Sequence, residues 1–329
     1  MKFENIIGVY NSGNYKILNI FGIKLKFKNK HAVILNRMRN MQRDLVKQNK
    51  RLITTALLHQ KTFSRFKGIN RGNDVLLVGA GPSLNHLEPI EGTVNVGLNR
   101  TFIFDKIKMD YLFAIDKVGI EQYYDGFINY RPDECIKFVG DQNLGADFQI
   151  PEYVALESKA LRYKTCTKLY PSDFTLDIDS EPLGNFCTVS LQAMQFILFT
   201  YPKRVYIAGI DCNMTKAGHF SGKSFDTSKR NEDSQKNDDN SIIFWSRLKD
   251  FAACYYPDTE IVSINPVGLR GIFKEVWTES YLAEHPEIRA ELGNDIEILS
   301  NFANNQKIGG GVTLLGPYLQ RFRRRRFAA

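Results

Sequence analysis

Residues 74 to 84 read Asp74-Val75-Leu76-Leu77-Val78-Gly79-Ala80-Gly81-Pro82-Ser83-Leu84. Four consecutive apolar residues, two of them β-branched, make a run of strand length that stops in a turn of small residues. An apolar run without polar alternation predicts a strand buried on both faces, and so the first strand of a parallel sheet. Runs of the same kind recur at Val94 to Gly97, Tyr111 to Ile115, Ile136 to Val139, Arg204 to Ile210 and Glu260 to Ile264. Helical stretches lie between several of them, notably Val189 to Phe199 and Ile242 to Tyr255. The alternation predicts an α/β fold, a Rossmann-like parallel sheet with helices on both faces and right-handed crossovers. Ligands of such sheets bind beyond the carboxyl ends of the strands.

Outward from this core the pattern changes. Residues 1 to 30 predict short strands or a hairpin, with Tyr15, Ile17, Leu18, Ile20 and Phe21 preceding a Lys alternation. From His31 to about Lys67 there is no Pro or Gly, and Val33, Ile34, Met38, Met41, Leu45, Leu52 and Ala56 recur at helical spacing among basic residues, which predicts one long helix or two. The expected organisation is therefore an accessory basic strand and helix extension over 1–67, a main domain over 68–280 and a helical, basic tail over 281–329. Two stretches break the rhythm. Asp141 to Glu181 is mixed and polar, and Met214 to Asn240 is rich in Ser, Lys, Asp and Asn, which predicts a lid insertion at about 214–240.

With 43% hydrophobic and 24% charged residues in 329, the chain has the composition of a folded globular protein and not of a disordered scaffold. Its net charge of +8 is concentrated at the ends. Lys24, Lys26, Lys28 and Lys30 alternate with Ile23, Leu25 and Phe27, and Arg321 and Arg323 to Arg326 close the chain. Mixed basic and apolar segments suit an anionic membrane surface, although a solvated charge run beside an ordinary edge strand has the same composition. Nucleic acid is not expected, since no aromatic-basic motif of an RNA module accompanies the charge. Five widely spaced cysteines fit neither a disulfide framework nor a zinc pattern, and a reducing cytoplasm is the simplest compartment. No export signal and no run of about eighteen apolar residues is found, so neither secretion nor membrane spanning is expected.

The chemistry-bearing residues gather at predicted strand ends. Gly79, Ala80, Gly81, Pro82 and Ser83 form a turn in which glycines allow close backbone approach and the amides of a helix start attract phosphate. It is neither the dinucleotide fingerprint, lacking the third glycine and the distal acid, nor a P-loop, lacking Gly-Lys-Ser/Thr. A tight turn with no ligand remains the alternative. Asn99 and Arg100 end the next strand, and Asp116 and Lys117 the third, where an amide and a carboxylate either contact a ligand or cap helices. Gly209 and Asp211 end a later strand, and Asp211 either orients a ligand or caps the loop. His219, with Phe220 beside it, stands in a polar, glycine-flanked loop and has the titration range of an acid or base that activates a hydroxyl, or else no role at all.

Taken together these segments resemble the metal-independent bacterial sialyltransferases of glycosyltransferase family forty-two and the sialyltransferase-like domain of motility accessory factors. The similarity runs from about Asp74 to Glu275 through Val78 to Leu84, Gly97 to Phe102, Ile207 to Asp211, Ser224 to Thr227 and Ile264 to Leu269. It implies a GT-A-like sialyltransferase variant of the fold and an inverting transfer of sialic acid or a related acidic sugar from a CMP-sugar. The acceptor would be a glycan or glycolipid of surface lipooligosaccharide or capsule. No cofactor and no metal would be needed. By the same resemblance Gly79, Gly81, Pro82, Ser83 and Asn99 hold the nucleotide, and Asn185 and Thr188, in Gly184 to Thr188, face the donor. The family's late histidine is missing, because no histidine lies between Phe220 and Glu284. The similarity to the motility accessory relatives implies His219 as the base instead, with Lys223 or Lys216 assisting the phosphate. A cytoplasmic enzyme, peripheral on the inner face of the bacterial inner membrane through its basic termini, is the expected setting, with self-association left open.

Two rivals follow from the same residues. A pterin diphosphokinase-like ATP-dependent enzyme would need magnesium held by carboxylates such as Asp116 and Asp211. A non-catalytic nucleotide-sensing or scaffolding protein at the membrane would use the basic ends and a degenerate site.

Overall fold

The computed structural model describes residues 7–20, 23–115, 117–141, 149–166, 174–184, 186, 188–213, 218–221 and 232–300. The chain divides into two compact units, Met1–Thr55 and Ala56–Ala329. The boundary falls inside a helix, earlier than the change of pattern near residue 67 suggests. The reason is packing, because His59, Thr62 and Phe63 are fully buried members of the larger unit.

In the smaller unit, β1 (Ile7–Ser12), β2 (Tyr15–Ile20) and β3 (Ile23–Lys28) form an antiparallel meander. Helix α1 (Lys30–Phe63) begins there, its first turn capped by the Asn29 side chain, which accepts from the Ala32 amide at 3.2 Å.

The larger unit is built on eight parallel strands, adding β4 (Asp74–Val78), β5 (Val94–Leu98), β6 (Tyr111–Ala114), β7 (Ile136–Asp141), β8 (Leu161–Lys164), β9 (Arg204–Ala208), β10 (Glu260–Ile264) and β11 (Lys274–Val276). Their order is β11-β10-β9-β4-β5-β6-β7-β8. Strand alternation sends Val75 and Leu77 of β4, and Val205 and Ile207 of β9, into one hydrophobic cluster. Leu76, Val78, Tyr206 and Ala208 enter the other. This two-sided burial is why both strands read as unbroken apolar runs.

One face is covered by α5 (Val189–Phe199) and α6 (Glu232–Tyr255), with Phe63 and Phe66 from the end of α1 and the turn after it. Every residue of α5 is buried. Its Gln195 amide is satisfied there by the Thr175 and Gly184 amides, each at 3.0 Å, and by the Leu191 and Gly184 carbonyls. The other face carries shorter pieces, among them α3 (Tyr124–Asn129) and α4 (Glu152–Glu157), with α2 (Lys117–Ile120) leading into them. Helices α7 (Glu279–Glu284) and α8 (Pro286–Leu292) follow the last strand. Helix α6 starts at Glu232, so the last part of the expected lid over 214–240 is helical. The rest of it, apart from 218–221, lies outside the described residues, as does the tail beyond 300.

At the amino ends of the central strands Arg204 ties three of them together. It donates to Asp74 Oδ2 at 3.1 Å and Glu260 Oε2 at 2.6 Å from a side chain that is 3% exposed.

Candidate active site

The chain runs outward from β4 to β8 and then returns to the other side of β4 to make β9, β10 and β11. The order of strands therefore reverses between β4 and β9, and a crevice at such a reversal is where open α/β sheets take ligands. The glycine turn, Gly209, Asp211 and His219 all belong to the carboxyl ends of these two strands.

Pairing continues past the strands themselves. Gly79 N donates to Ala208 O and Gly81 N to Gly209 O, both at 2.8 Å. Gly209 sits at φ +67, and a Cβ on it would lie 2.6 Å from Gly79 O, so the two turns meet backbone to backbone. Pro82 then opens a short 3-10 helix, Pro82–His86. Its Ser83 amide donates to Asp211 Oδ2 at 3.0 Å, and its hydroxyl donates to Asp211 Oδ1. Asp211 is 7% exposed. Burial raises the pKa of its carboxyl, opposed by the Ser83 hydrogen bonds and by nearby His86.

This corrects the physical role expected of the turn. The amides of Gly79, Gly81 and Ser83 are bound inside the protein, and the space that Gly81 leaves open is filled by Asp211. Asp211 is thus a positioning residue that fixes the turn, and not a group held out to a substrate.

The His219 loop lies on the same turn. Phe220 N donates to Ala80 O at 3.0 Å, and His219 Nδ1 lies 3.2 Å from the same oxygen. Asn85 Nδ2 donates to Phe220 O at 3.1 Å, and the Phe220 ring meets Phe104 edge-on at 5.5 Å. Phe104 ends the 3-10 turn that starts at Asn99. The structure therefore brings the glycine turn, the His219 loop and the Asn99 turn into one neighbourhood.

Asn99 itself has φ 50, a left-handed conformation that Asn tolerates better than most residues. Its side chain packs on Gly119, where a Cβ would lie 2.6 Å from Asn99 Cγ. Asn99 Oδ1 is buried and, among the described residues, has no hydrogen-bond partner. A buried acceptor in that state is one that a ligand's donor could satisfy.

Other expected residues have contacts within the protein or lie outside the described residues. Arg100 is 7% exposed, with its guanidinium 5.5 Å from the Tyr123 ring centroid. Lys117, the first residue of α2, pairs with Glu121 just after it at 2.9 Å. Thr188 caps α5, accepting from the Ser190 amide at 3.4 Å. Asp116, Asn185, Lys216 and Lys223 lie outside the described residues. Sequence reasoning missed Asn85, Phe104 and Gly119, and it missed His86, which faces Glu284 at 3.6 Å and Tyr281 at 5.2 Å. Only His86 carried a signal, its place three residues after Ser83.

The molecule is thus an α/β protein with its candidate site at the reversal point of a parallel sheet. No family model matches the chain, and no curated protein matches it significantly. Among solved structures it is similar to the sialyltransferase CST-II in complex with a trisaccharide acceptor and CMP, at 14% identity and a TM-score of 0.36, over 58% of this chain and 80% of that one. It is also similar to CstII from Campylobacter jejuni bound to cytidine-5'-monophosphate, at 13% identity and a TM-score of 0.32, over 59% of this chain and 80% of that one. For the same enzyme with CMP-3FNeuAc the figures are 15% and 0.32, over 58% and 79%.

Proposed function

We propose that the chain is a glycosyltransferase that moves sialic acid or a related acidic sugar from a CMP-activated donor to a glycan acceptor of surface lipooligosaccharide or capsule, with inversion and without a metal. The observation that carries this reading is the contact of His219 with Ala80 at the reversal point. A carbonyl oxygen only accepts, so Nδ1 bears the proton and, in the neutral ring, Nε2 carries the lone pair. In the proposed reaction Nε2 takes the proton of the acceptor hydroxyl while that oxygen bonds to the anomeric carbon. The bond from this carbon to the phosphate oxygen breaks, and CMP leaves with the electron pair. Asn99 Oδ1 would accept from the cytidine side of the donor, and Lys216 or Lys223 would assist the leaving phosphate. The resemblance carried by Val78 to Leu84, Gly97 to Phe102 and Ile207 to Asp211 supports CMP as the nucleotide. The pyrophosphokinase reading is weakened because Asp211, one of its two candidate carboxylates, is engaged by Ser83.

A donor-hydrolysis screen with CMP-, UDP- and GDP-sugars in the presence of chelator tests the proposal. CMP-sugars alone should be consumed, and His219→Ala should lower turnover by about 10²- to 10⁴-fold, the usual contribution of a general base. Consumption of UDP- or GDP-sugars only, or unchanged turnover in His219→Ala, would overturn it.

A further inference from the structure

The smaller unit presents two apolar surfaces that its own packing does not use. On α1, Ile34, Met38, Met41, Leu45 and Leu52 recur at three, four or seven residues and are each 55% to 65% exposed. Leu35, Val46 and Ile53 add a second exposed row beside them, so the stripe is wider than a two-position coiled-coil seam. On the meander, Ile23, Leu25 and Phe27 alternate onto one face of β3 and are also exposed.

The charge around these surfaces has one sign. Residues 1–55 contain twelve Lys and Arg against two acids, Glu4 and Asp44, a surplus of ten that exceeds the +8 of the whole chain. At 100° per residue Arg43, Lys47 and Arg51 of α1 fall on the side away from the stripe, and Arg37, Arg39 and Lys50 at its margins. Self-association of such helices would bring like charges together, whereas an anionic lipid surface neutralises them and takes up a broad apolar face. No helix among the described residues is long and apolar enough to cross a membrane.

We infer that this unit is an interfacial anchor that lies on an anionic lipid bilayer, with the α1 stripe and the β3 face in the headgroup region and Arg37 and Arg39 reaching lipid phosphates. The inference stands independently of the transferase reading.

The full chain is tested by co-sedimentation with phosphatidylcholine vesicles with and without phosphatidylglycerol. Binding is expected only with phosphatidylglycerol, and weaker at high salt. Each margin cation is worth roughly fivefold in partitioning, so Arg37→Gln with Arg39→Gln should lose about twenty-fivefold. Met38→Ser with Met41→Ser should lose at least tenfold, with thermal unfolding unchanged because both side chains are exposed. As a second measurement, an environment-sensitive fluorophore on Met41→Cys should shift to the blue when phosphatidylglycerol vesicles are added. An unshifted fluorophore would overturn the inference. So would retained binding in both double variants, which would place it at the arginines near the end of the chain, or sedimentation showing an α1-dependent oligomer that ignores vesicles.

Discussion

The carboxylate of Asp211 accepts from both the amide and the hydroxyl of Ser83, a residue 128 positions away in the chain. The pair locks the ends of β4 and β9 together at the point where the order of strands reverses. It also puts a carboxyl group where a helix start would otherwise offer its amide to a phosphate. While the pair holds, the Ser83 amide is not available to a phosphate.

The pair makes opposite predictions for its two members. Ser83→Ala leaves one buried carboxylate oxygen without its donor and should cost about 1–3 kcal/mol. Asp211→Asn keeps an acceptor for the amide, and its own NH₂ can donate to the Ser83 hydroxyl, so its loss should be small. Because burial raises the Asp211 pKa in the folded state, the wild type loses stability as pH rises from the unfolded value of 3.8 through the folded one. The stability of Asp211→Asn relative to wild type should rise over that window and then level off. Denaturant unfolding of both proteins across the acid range checks this, and a flat difference would refute it.

Gly81 has an ordinary φ of −70, so its requirement is space and not backbone freedom. A methyl group there would lie 2.5 Å from Asp211 Oδ2. Gly81→Ala should therefore cost about 1–3 kcal/mol by overpacking. Asp211→Ser should recover part of that loss in the double variant. The coupling energy from a double-mutant cycle is the readout, and strict additivity would show that the two positions do not share the space.

How much of this could be read from sequence depended on burial and on chain distance. The central strands β4, β5, β6, β7, β9 and β10 announced themselves because each is covered on both faces. Strands β8, with Leu161-Arg162-Tyr163-Lys164, and β11, with Lys274-Glu275-Val276, are the two edges of the sheet and carry no apolar run. The first turns of α6 were hidden because Glu232 to Asn240 shows polarity without a period. The Gly-Ala-Gly-Pro-Ser segment was legible as a turn at a strand end. Its true filling was not, since nothing local to Gly81 or Ser83 points to a carboxylate far along the chain. The same holds for Asn99 and Gly119, which meet only because β5 and β6 are neighbours.

His59 predicts how stability depends on pH. Its Nδ1 donates to Ile178 O and its Nε2 accepts from the Lys164 amide, both at 2.8 Å, so the folded protein holds one neutral tautomer in a fully buried position. Burial lowers its pKa below the ordinary histidine value of 6.5, with Lys164 adding to the effect against the backbone hydrogen bonds. A depressed folded pKa means stability that is present above 6.5 and is lost as pH falls below it toward the folded value. Thermal unfolding between pH 7.5 and pH 5 should fall more steeply for wild type than for His59→Gln, which cannot take up the proton. Parallel slopes would assign the acid sensitivity to other groups.

Asn99 gives the prediction that separates fold from function. Because its Oδ1 has no partner among the described residues and its φ is positive, Asn99→Gly should cost little stability, glycine being at ease in that conformation. Gly119→Ala would push a methyl group to within 2.6 Å of Asn99 Cγ and displace the amide without touching any other proposed donor contact. If Asn99 reads the nucleotide, CMP at a hundred times its dissociation constant should stabilise the wild type by about 2.7 kcal/mol, and both variants should lose most of that gain at the same concentration. Thermal shift with CMP, set beside ATP, measures it. A full CMP shift in Asn99→Gly would remove Asn99 from the donor site. A shift lost in Asn99→Gly but kept in Gly119→Ala would mean that the amide reaches the nucleotide from a position the methyl group does not disturb.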